Sequence, residues 1–539
     1  MTAETTRRAV LGGALAGSAA ALLEGCGEPQ WPGTLGGADW QRGHLLRAAT
    51  LPAPTGPVEE VGVLIAGGGV AGLATGWRLA EAGWTDFRLL ELEDRAGGNA
   101  RSGRNAVSAY PLGAHYLPVP NREARALRRM LERLGMIVGE EDGAPLYDPY
   151  QLCADLEERL LWRGGWQEGL VPQVGLSAAD RAQWTRFQAT MADFRSAVGQ
   201  DGRPAFAVPM ALSSSDPRFR ALDAQSFAQW LDREGLTAPT LRVHLRYCCR
   251  DDYGTEPEQV SAWAGIHYFA ARRGWAARGD GDRELTWPEG NDRLAKAMAG
   301  RLTGQLRTGH SLIRLKRDPA GSGVLGDVLD HARNTVRRIR ARAAVLAMPH
   351  FVARRVAADF TAPGGFSYAP WVVANVTVSR APGGKGVPLA WDNVSTASES
   401  LGYVVATHQS AGAAGGPTVL TWYLPLSRED PAQVRKLLLT RSLGAWQRQV
   451  AADLLVMNPD LDGAIERIDV WRWGHAMVRP TPGFLSDPAR LDAAAGRAPV
   501  WFAHSDLSGL SLFEEAHYRG VIAAEATLAH CGHPFESLA

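Results

Sequence analysis

Apolar residues along the chain fall into short continuous runs, broken by glycine turns and by stretches of helical period. Residues 61–66 (Val-Gly-Val-Leu-Ile-Ala) form a run of the kind that fills a strand buried on both faces. Leu73, Trp77 and Ala80 then recur on one helical face, and this predicts a helix that stops near Gly83, a natural left-handed cap. The next run, 87–90, predicts a second strand and ends in Glu91. Near the C-terminus 500–506 reads as a strand ending in an acid, and 521–528 as a helix. Strand, glycine turn, helix and strand in this order predict an α/β fold with a three-layer, mostly parallel Rossmann-like domain.

The turn between the first strand and the helix reads G-x-G-x-x-G at Gly67, Gly69 and Gly72, with Val70 and Ala71 inside it. The first glycine permits the tight turn, the second lets the backbone approach a pyrophosphate, and the third lets helix pack on strand. Free N–H groups and the positive end of the helix dipole favour phosphate there, and the Glu91 carboxylate is placed to accept from an adenosine ribose. This is a dinucleotide site; by itself it does not separate NAD from FAD.

Charge and length narrow the rest. With 539 residues the chain is long enough for two intertwined domains, and 57 basic against 57 acidic residues leave no reason to expect a nucleic-acid partner. Cys153, Cys248, Cys249 and Cys531 allow three pairings, and without C-x-x-C or His-rich spacing no metal site is expected. Thr6-Arg7-Arg8-Ala9-Val10-Leu11, followed by a weakly apolar stretch to Leu23, resembles a twin-arginine export signal, which implies a periplasmic or other extracytoplasmic location. Leu23-Glu24-Gly25-Cys26 resembles a lipoprotein box that would tether the protein to a membrane through Cys26, although Glu24 is atypical there. Residues 1–26 are therefore read as leader and the Pro/Gly-rich 27–60 as a linker.

Three later segments turn the dinucleotide reading toward FAD. Glu91-Leu92-Glu93-Asp94-Arg95-Ala96-Gly97-Gly98 resembles the E-x-x-x-R-x-G-G extension of the flavin-containing amine oxidase, protoporphyrinogen oxidase and phytoene desaturase superfamily. Pro111 to Tyr116 resembles the glycine turn those proteins place near the flavin, and 500–506 resembles the strand whose terminal acid, here Asp506, meets the ribityl chain. Leu312 falls where the family clamps adenine, and Ala347 belongs to a strand ending in A-x-P under the cofactor. The resemblance implies non-covalent FAD contacted through Gly67, Gly69, Val70, Ala71, Gly72, Glu91, Leu92, Arg95, Gly97, Gly98, Asn99, Arg101, Gly113, Ala114, His115, Leu312, Ala347, Asp506, Glu515 and Ala516. It also implies an FAD domain in three parts (61–130, 286–365, 486–539) with an α+β substrate domain inserted at 131–285 and 366–485.

Two departures from the family matter. The arginine after the glycine pair is Asn99, so Arg101 is the candidate for the phosphates. The lysine of a family strand aligns with Asn375, and Lys385 nearby sits in a Gly-rich turn. Nothing between 366 and 500 resembles the Ser-Gly-Gly-Cys segment of covalent attachment. His115, Trp473 and His475 are the catalytic candidates, with Tyr116 as a wall, His504 and His517 flanking the C-terminal segment, and Tyr253 or Tyr268 facing a substrate tunnel. The expected function is hydride removal from a C–N or C–C bond of a small molecule, with electrons returned to oxygen or a quinone. Alternatives are an isoprenoid or tetrapyrrole desaturase or isomerase, and a non-catalytic exported flavoprotein.

Overall fold

The computed structural model describes residues 30–48, 51–360, 365–410 and 415–539; the twin-arginine and Cys26 readings lie outside them. Two sheets organise the protein. In the first, Glu59–Ala66 lies between Phe87–Leu90 and Thr335–Leu346, all parallel. Leu306–Arg307 adds to one edge and Val500–Phe502 to the end of Thr335–Leu346, again in parallel, while Val324–Asp330 and His310–Arg317 complete the sheet as an antiparallel meander. The discontinuous Rossmann-like domain is thus built as expected: residues 61–66 and 343–346 are buried throughout, as a strand covered on both faces requires, while Leu306–Arg307 and Val500–Phe502 are only partly buried.

The helix Val70–Glu81 follows the first strand, and Phe513–His530 packs across it. Gly520 permits that contact, since a Cβ there would lie 2.2 Å from the Ala71 carbonyl oxygen. The C-terminal helix begins upstream of the predicted 521–528. Its first turns carry Glu514, Glu515, His517 and Arg519, which look like surface residues in sequence but are all buried.

The second sheet has eight strands, with Ile465–Val478, Tyr368–Val378 and Thr418–Pro425 at its centre and Glu158–Trp162 and Gly165–Glu168 at one end. Its other edge is Leu35–Gly37, parallel to Ile465–Val478. The linker reading of 27–60 is therefore corrected over residues 30–48. The glycines that resembled a tether are there because the strand passes tightly over the sheet: a Cβ at Gly33 would lie 1.9 Å from the Ile468 carbonyl oxygen, and one at Gly36 would lie 2.4 Å from the Trp471 ring. Just beyond, the Arg42 guanidinium donates to the Leu92 carbonyl and to Asp94, and the Asp39 N–H donates to Glu93.

The first boundary between domains also moves. Helix Arg125–Arg133 and residues on to Leu152 pack into the core of the FAD domain, so the substrate domain is entered only at Glu158–Trp162, not at 131. Helices Ala178–Ser196, Pro239–Tyr253 and Ala262–Ala270 share a separate core.

Arg159 ties the second sheet together. It is 0% exposed, lies over the Trp166 ring, and donates to Asn393 Oδ1, to the Gly383 and Val387 carbonyls and to Tyr403 Oη. Arg159→Ala would strand those acceptors, and a loss of about 3 kcal/mol or more is expected in urea unfolding.

Candidate active site

Two glycine turns meet back to back at the end of the first strand. Gly67 sits at φ +111° and its N–H donates to the Leu90 carbonyl; Gly97, at φ +123°, donates to the Gly68 carbonyl. Gly69 and Gly97 pair as an isolated bridge, and a Cβ on Gly98 would lie 3.1 Å from the Gly69 Cα. Side chains are excluded from both turns, so bare backbone faces an open cleft of about 300 Å³.

This cleft satisfies the requirements of a dinucleotide carrying two phosphates. The helix Val70–Glu81 begins there with no side-chain cap and no acidic residue in its first turn, which leaves its N–H groups free for an anion. Helix Phe513–His530 also starts without a side-chain cap, and Leu512, Phe513 and Ala516 line the same cleft. At one end are Glu91, Leu92 and Leu312; Glu91 accepts from the Gly68 and Glu93 N–H groups, and burial pushes its carboxyl up despite them. At the other end Asp506, 1% exposed, accepts from Tyr368 Oη, the His350 N–H and His504. Burial alone would raise that carboxyl, but His504 beside it, with the hydrogen bonds from Tyr368 and His350, holds it below the usual range.

Most expected cofactor residues line this cleft: Gly67, Gly69, Val70, Ala71, Glu91, Leu92, Gly98, Asn99, Ala114, Leu312, Ala347, Asp506 and Ala516. Gly72 and Gly97 shape it from behind; a Cβ on Gly72 would lie 1.8 Å from the Gly67 carbonyl oxygen. Three expectations are corrected. Arg95 points outward and pairs with Asp292. Arg101 is committed to Glu93 and lies over Trp471 and Trp473, so it is not free for phosphate. Glu515 is wholly buried and accepts from the Met210 N–H and from Ser508, so it holds the helix start in place and does not line the cleft.

A second cavity of about 140 Å³ adjoins the first, and Asn99, Ala114, Ala476, Ser511, Leu512 and Phe513 line both. Gly113 and His115, expected at the cofactor, belong to this second cavity, where Ala114 N–H bonding to the Asn99 carbonyl fixes the turn. His115 stacks on Tyr423 with centroids 4.5 Å apart, and its Nδ1 lies 3.3 Å from the Gly113 carbonyl, which assigns the proton to Nδ1. Burial lowers its pKa to about 4, so it is neutral at pH 7. Trp473 is a wall, its N–H donated to the Leu112 carbonyl. His475 is not in the second cavity; it lines the cofactor cleft, stacked on Phe351, with a pKa lowered by burial to about 4. Tyr116 is a wall, as expected. His517 is core beside Phe513 and Trp77, and Tyr253 is core with its hydroxyl donated to the Ala264 carbonyl.

The Asn375 alignment is also corrected. Asn375, 1% exposed, accepts from Thr421 and lines a recess apart from both cavities. The residues of its strand that face the second cavity are Trp371 and Val373, and no lysine lines either cavity among the described residues. The four cysteines of the described residues are free.

Sequence reasoning missed the acids of this second cavity. Asp251, Asp252, Asp392 and Glu514 line it together with Tyr247, Tyr423 and Arg272. Glu514 is 5% exposed, and its carboxyl, pushed up by burial to about 7, has no partner beyond its own N–H among the described residues. Adjacent acids inside an otherwise core-forming helix, Asp251-Asp252, were the one available signal.

Residues 70–452 match the family model of the flavin containing amine oxidoreductases. The chain belongs to this family. FAD is accordingly the cofactor that the cleft is built for. Among curated relatives, the flavin-containing monoamine oxidase-named protein AofH of Mycobacterium tuberculosis is 26% identical over 283 residues; the match covers 51% of this chain and 56% of that protein, so the chain spans about half the length of that relative. Of solved structures, a putrescine oxidase variant has a TM-score of 0.62 at 15% identity, covering 88% of this chain and 100% of that one. Cyclohexylamine oxidase from Brevibacterium oxydans has a TM-score of 0.60 at 15% identity, covering 88% and 99%. At these identities the family's structures share the fold with this chain.

Proposed function

We propose that the chain oxidises a C–N bond of a small amine, with electrons passed on to oxygen or a quinone. The observation that carries this reading is the second cavity: it shares a wall with the cofactor cleft, and it presents buried carboxylates among aromatic rings. Carboxylates and aromatic faces both favour an ammonium group. When bound, FAD supplies the acceptor for the hydride. The protein's own part is positioning and proton handling. Glu514, beside the shared wall, takes the proton of the incoming ammonium so that a neutral amine is presented. His115, neutral and locked by Gly113 and Tyr423, offers an acceptor Nε2, and Trp473 with Val373 bounds the amine apolarly. The same buried acids make a purely hydrocarbon isoprenoid a poor fit, since it would leave them desolvated and unmatched.

Anaerobic mixing of the flavoprotein with amines, isoprenoids and porphyrinogens tests the reading. Amines are expected to bleach the flavin absorbance; bleaching by the isoprenoid or porphyrinogen set alone would overturn it, and bleaching by none would favour a non-catalytic flavoprotein. We also propose export by the twin-arginine route, on the strength of Arg7-Arg8 and the apolar stretch after them. Replacing both arginines by lysine should retain the protein in the cytoplasm.

A further inference from the structure

The segment that resembles a linker in sequence touches both halves of the protein and the cofactor cleft. Its strand Leu35–Gly37 runs beside Val470 to Arg472 of the second sheet. Thr34 donates through its N–H and its hydroxyl to Asp469, at 2.9 and 2.8 Å, and Arg472 Nε donates to the Gly36 carbonyl. Gly36 lies against the Trp471 ring and has no room for a side chain. From this anchorage the chain turns through the short helix Trp40–His44, capped by Asp39, and reaches the FAD domain.

There it grips three consecutive residues. The Asp39 N–H donates to Glu93, and the Arg42 guanidinium donates to the Leu92 carbonyl at 2.9 Å and to Asp94 at 2.8 Å. These residues directly follow Glu91, at the end of the cleft suited to adenosine, and Leu92 itself lines that cleft. A little further on, Leu46 joins the same wall, together with His310, Ser311 and Leu312. Leu46 is half-buried: it packs on Ile313, Leu329 and Val336 and leaves apolar surface open to the cleft. A bound adenosine would cover that surface, which is favourable. The segment lies outside residues 70–452, which carry the family match, so that match assigns it no role.

We propose that residues 34–47 are a strap that holds FAD in its cleft by the adenosine end. Leu46 is a cofactor contact, Arg42 is a positioning residue that fixes the loop after Glu91, and the strand on the second sheet is the fastening. A strap tied to the substrate sheet at one end and to the cofactor loop at the other must lift before adenosine can leave, so it slows release. None of Arg42, Leu46, Leu92 and Asp94 lines the second cavity, so the strap acts on cofactor retention whatever substrate is oxidised.

The test uses the full-length FAD-loaded protein and follows release of flavin by its fluorescence. Release is timed after dilution at constant temperature, and again in a thermal ramp where far-UV circular dichroism reports unfolding of the chain. Leu46→Ala and Arg42→Ala should each release FAD about tenfold faster than the native protein, or more. Gly36→Val, which forces the strand off Trp471 without altering a residue of the cleft, should do the same. Leu46→Met keeps the apolar contact and should release FAD within about twofold of the native rate. In the ramp the three loosened variants should free their flavin well before the chain unfolds, and a variant purified folded but empty meets the expectation in its extreme form. Should Gly36→Val fail to fold, the partly exposed Leu46 and Arg42 positions carry the test. Native release rates in Leu46→Ala and Arg42→Ala would overturn the proposal. So would flavin release and unfolding shifted together by equal amounts, since that is the mark of a purely structural segment.

Discussion

Glu514→Gln is expected to slow flavin reduction by amines by about 10²–10⁴-fold while leaving the bound flavin in place. The substitution is nearly isosteric, and Glu514 does not line the cofactor cleft. What is lost is the proton acceptor at the shared wall. Burial raises this carboxyl to about 7, with Arg272 opposing and Glu515 and Asp252 adding to the rise. Below pH 7 the group is protonated and cannot accept, so kcat/KM in the native protein should climb as pH rises through about 7. That limb should vanish in Glu514→Gln. Stability runs the other way. A carboxyl raised on folding contributes stability that is fully present below its unfolded value near 4.5 and is lost as pH rises through about 7. At pH 8 the variant should therefore unfold no earlier than the native protein. A variant that reduces flavin at the native rate across the pH range would show that the proton goes elsewhere.

Gly72→Val is expected to give a protein without bound flavin. A Cβ at this position meets the Gly67 carbonyl oxygen at 1.8 Å and Ala347 Cβ at 3.2 Å, so the helix must move off the turn that aims its N–H groups at the phosphates. Both neighbours belong to the cleft, so neither can give way without closing it. Gly43→Ala is the control, since a Cβ there meets nothing within 4 Å. Flavin absorbance per chain after purification measures the effect. Stoichiometric flavin in Gly72→Val would show that the turn is not what secures the cofactor.

The cofactor side of the protein was legible in sequence because its requirements are local. A glycine at positive φ, a third glycine against a carbonyl, an apolar strand and a terminal acid are conditions on neighbouring residues, and Gly67 to Gly72, Glu91, Gly97-Gly98 and Asp506 all meet them in place. The misreadings came where a residue type has two common environments. Arg95 and Arg101 resembled phosphate ligands but are satisfied by Asp292 and Glu93, and Glu515 resembled a cofactor contact but secures the start of a helix. Gly33 and Gly36 resembled a flexible linker, yet they are small because a strand lies on Trp471 and Ile468. Asn375 shares a strand face with Trp371 and Val373, and only the tertiary structure shows that, two residues further along, it falls in a separate recess while Val373 reaches the cavity.

By itself, the sequence determined the dinucleotide turn and its α/β unit, because steric rules for backbone and apolar period act over a few residues; the flavin and the discontinuous domain followed from motifs that resemble a known family. The tertiary structure alone decided that Asp251, Asp252, Asp392 and Glu514, from three distant segments, share one buried cavity with a single committed arginine. Burial and the absence of a counter-charge are properties of what surrounds a carboxylate, and those surroundings exist only once the chain has folded.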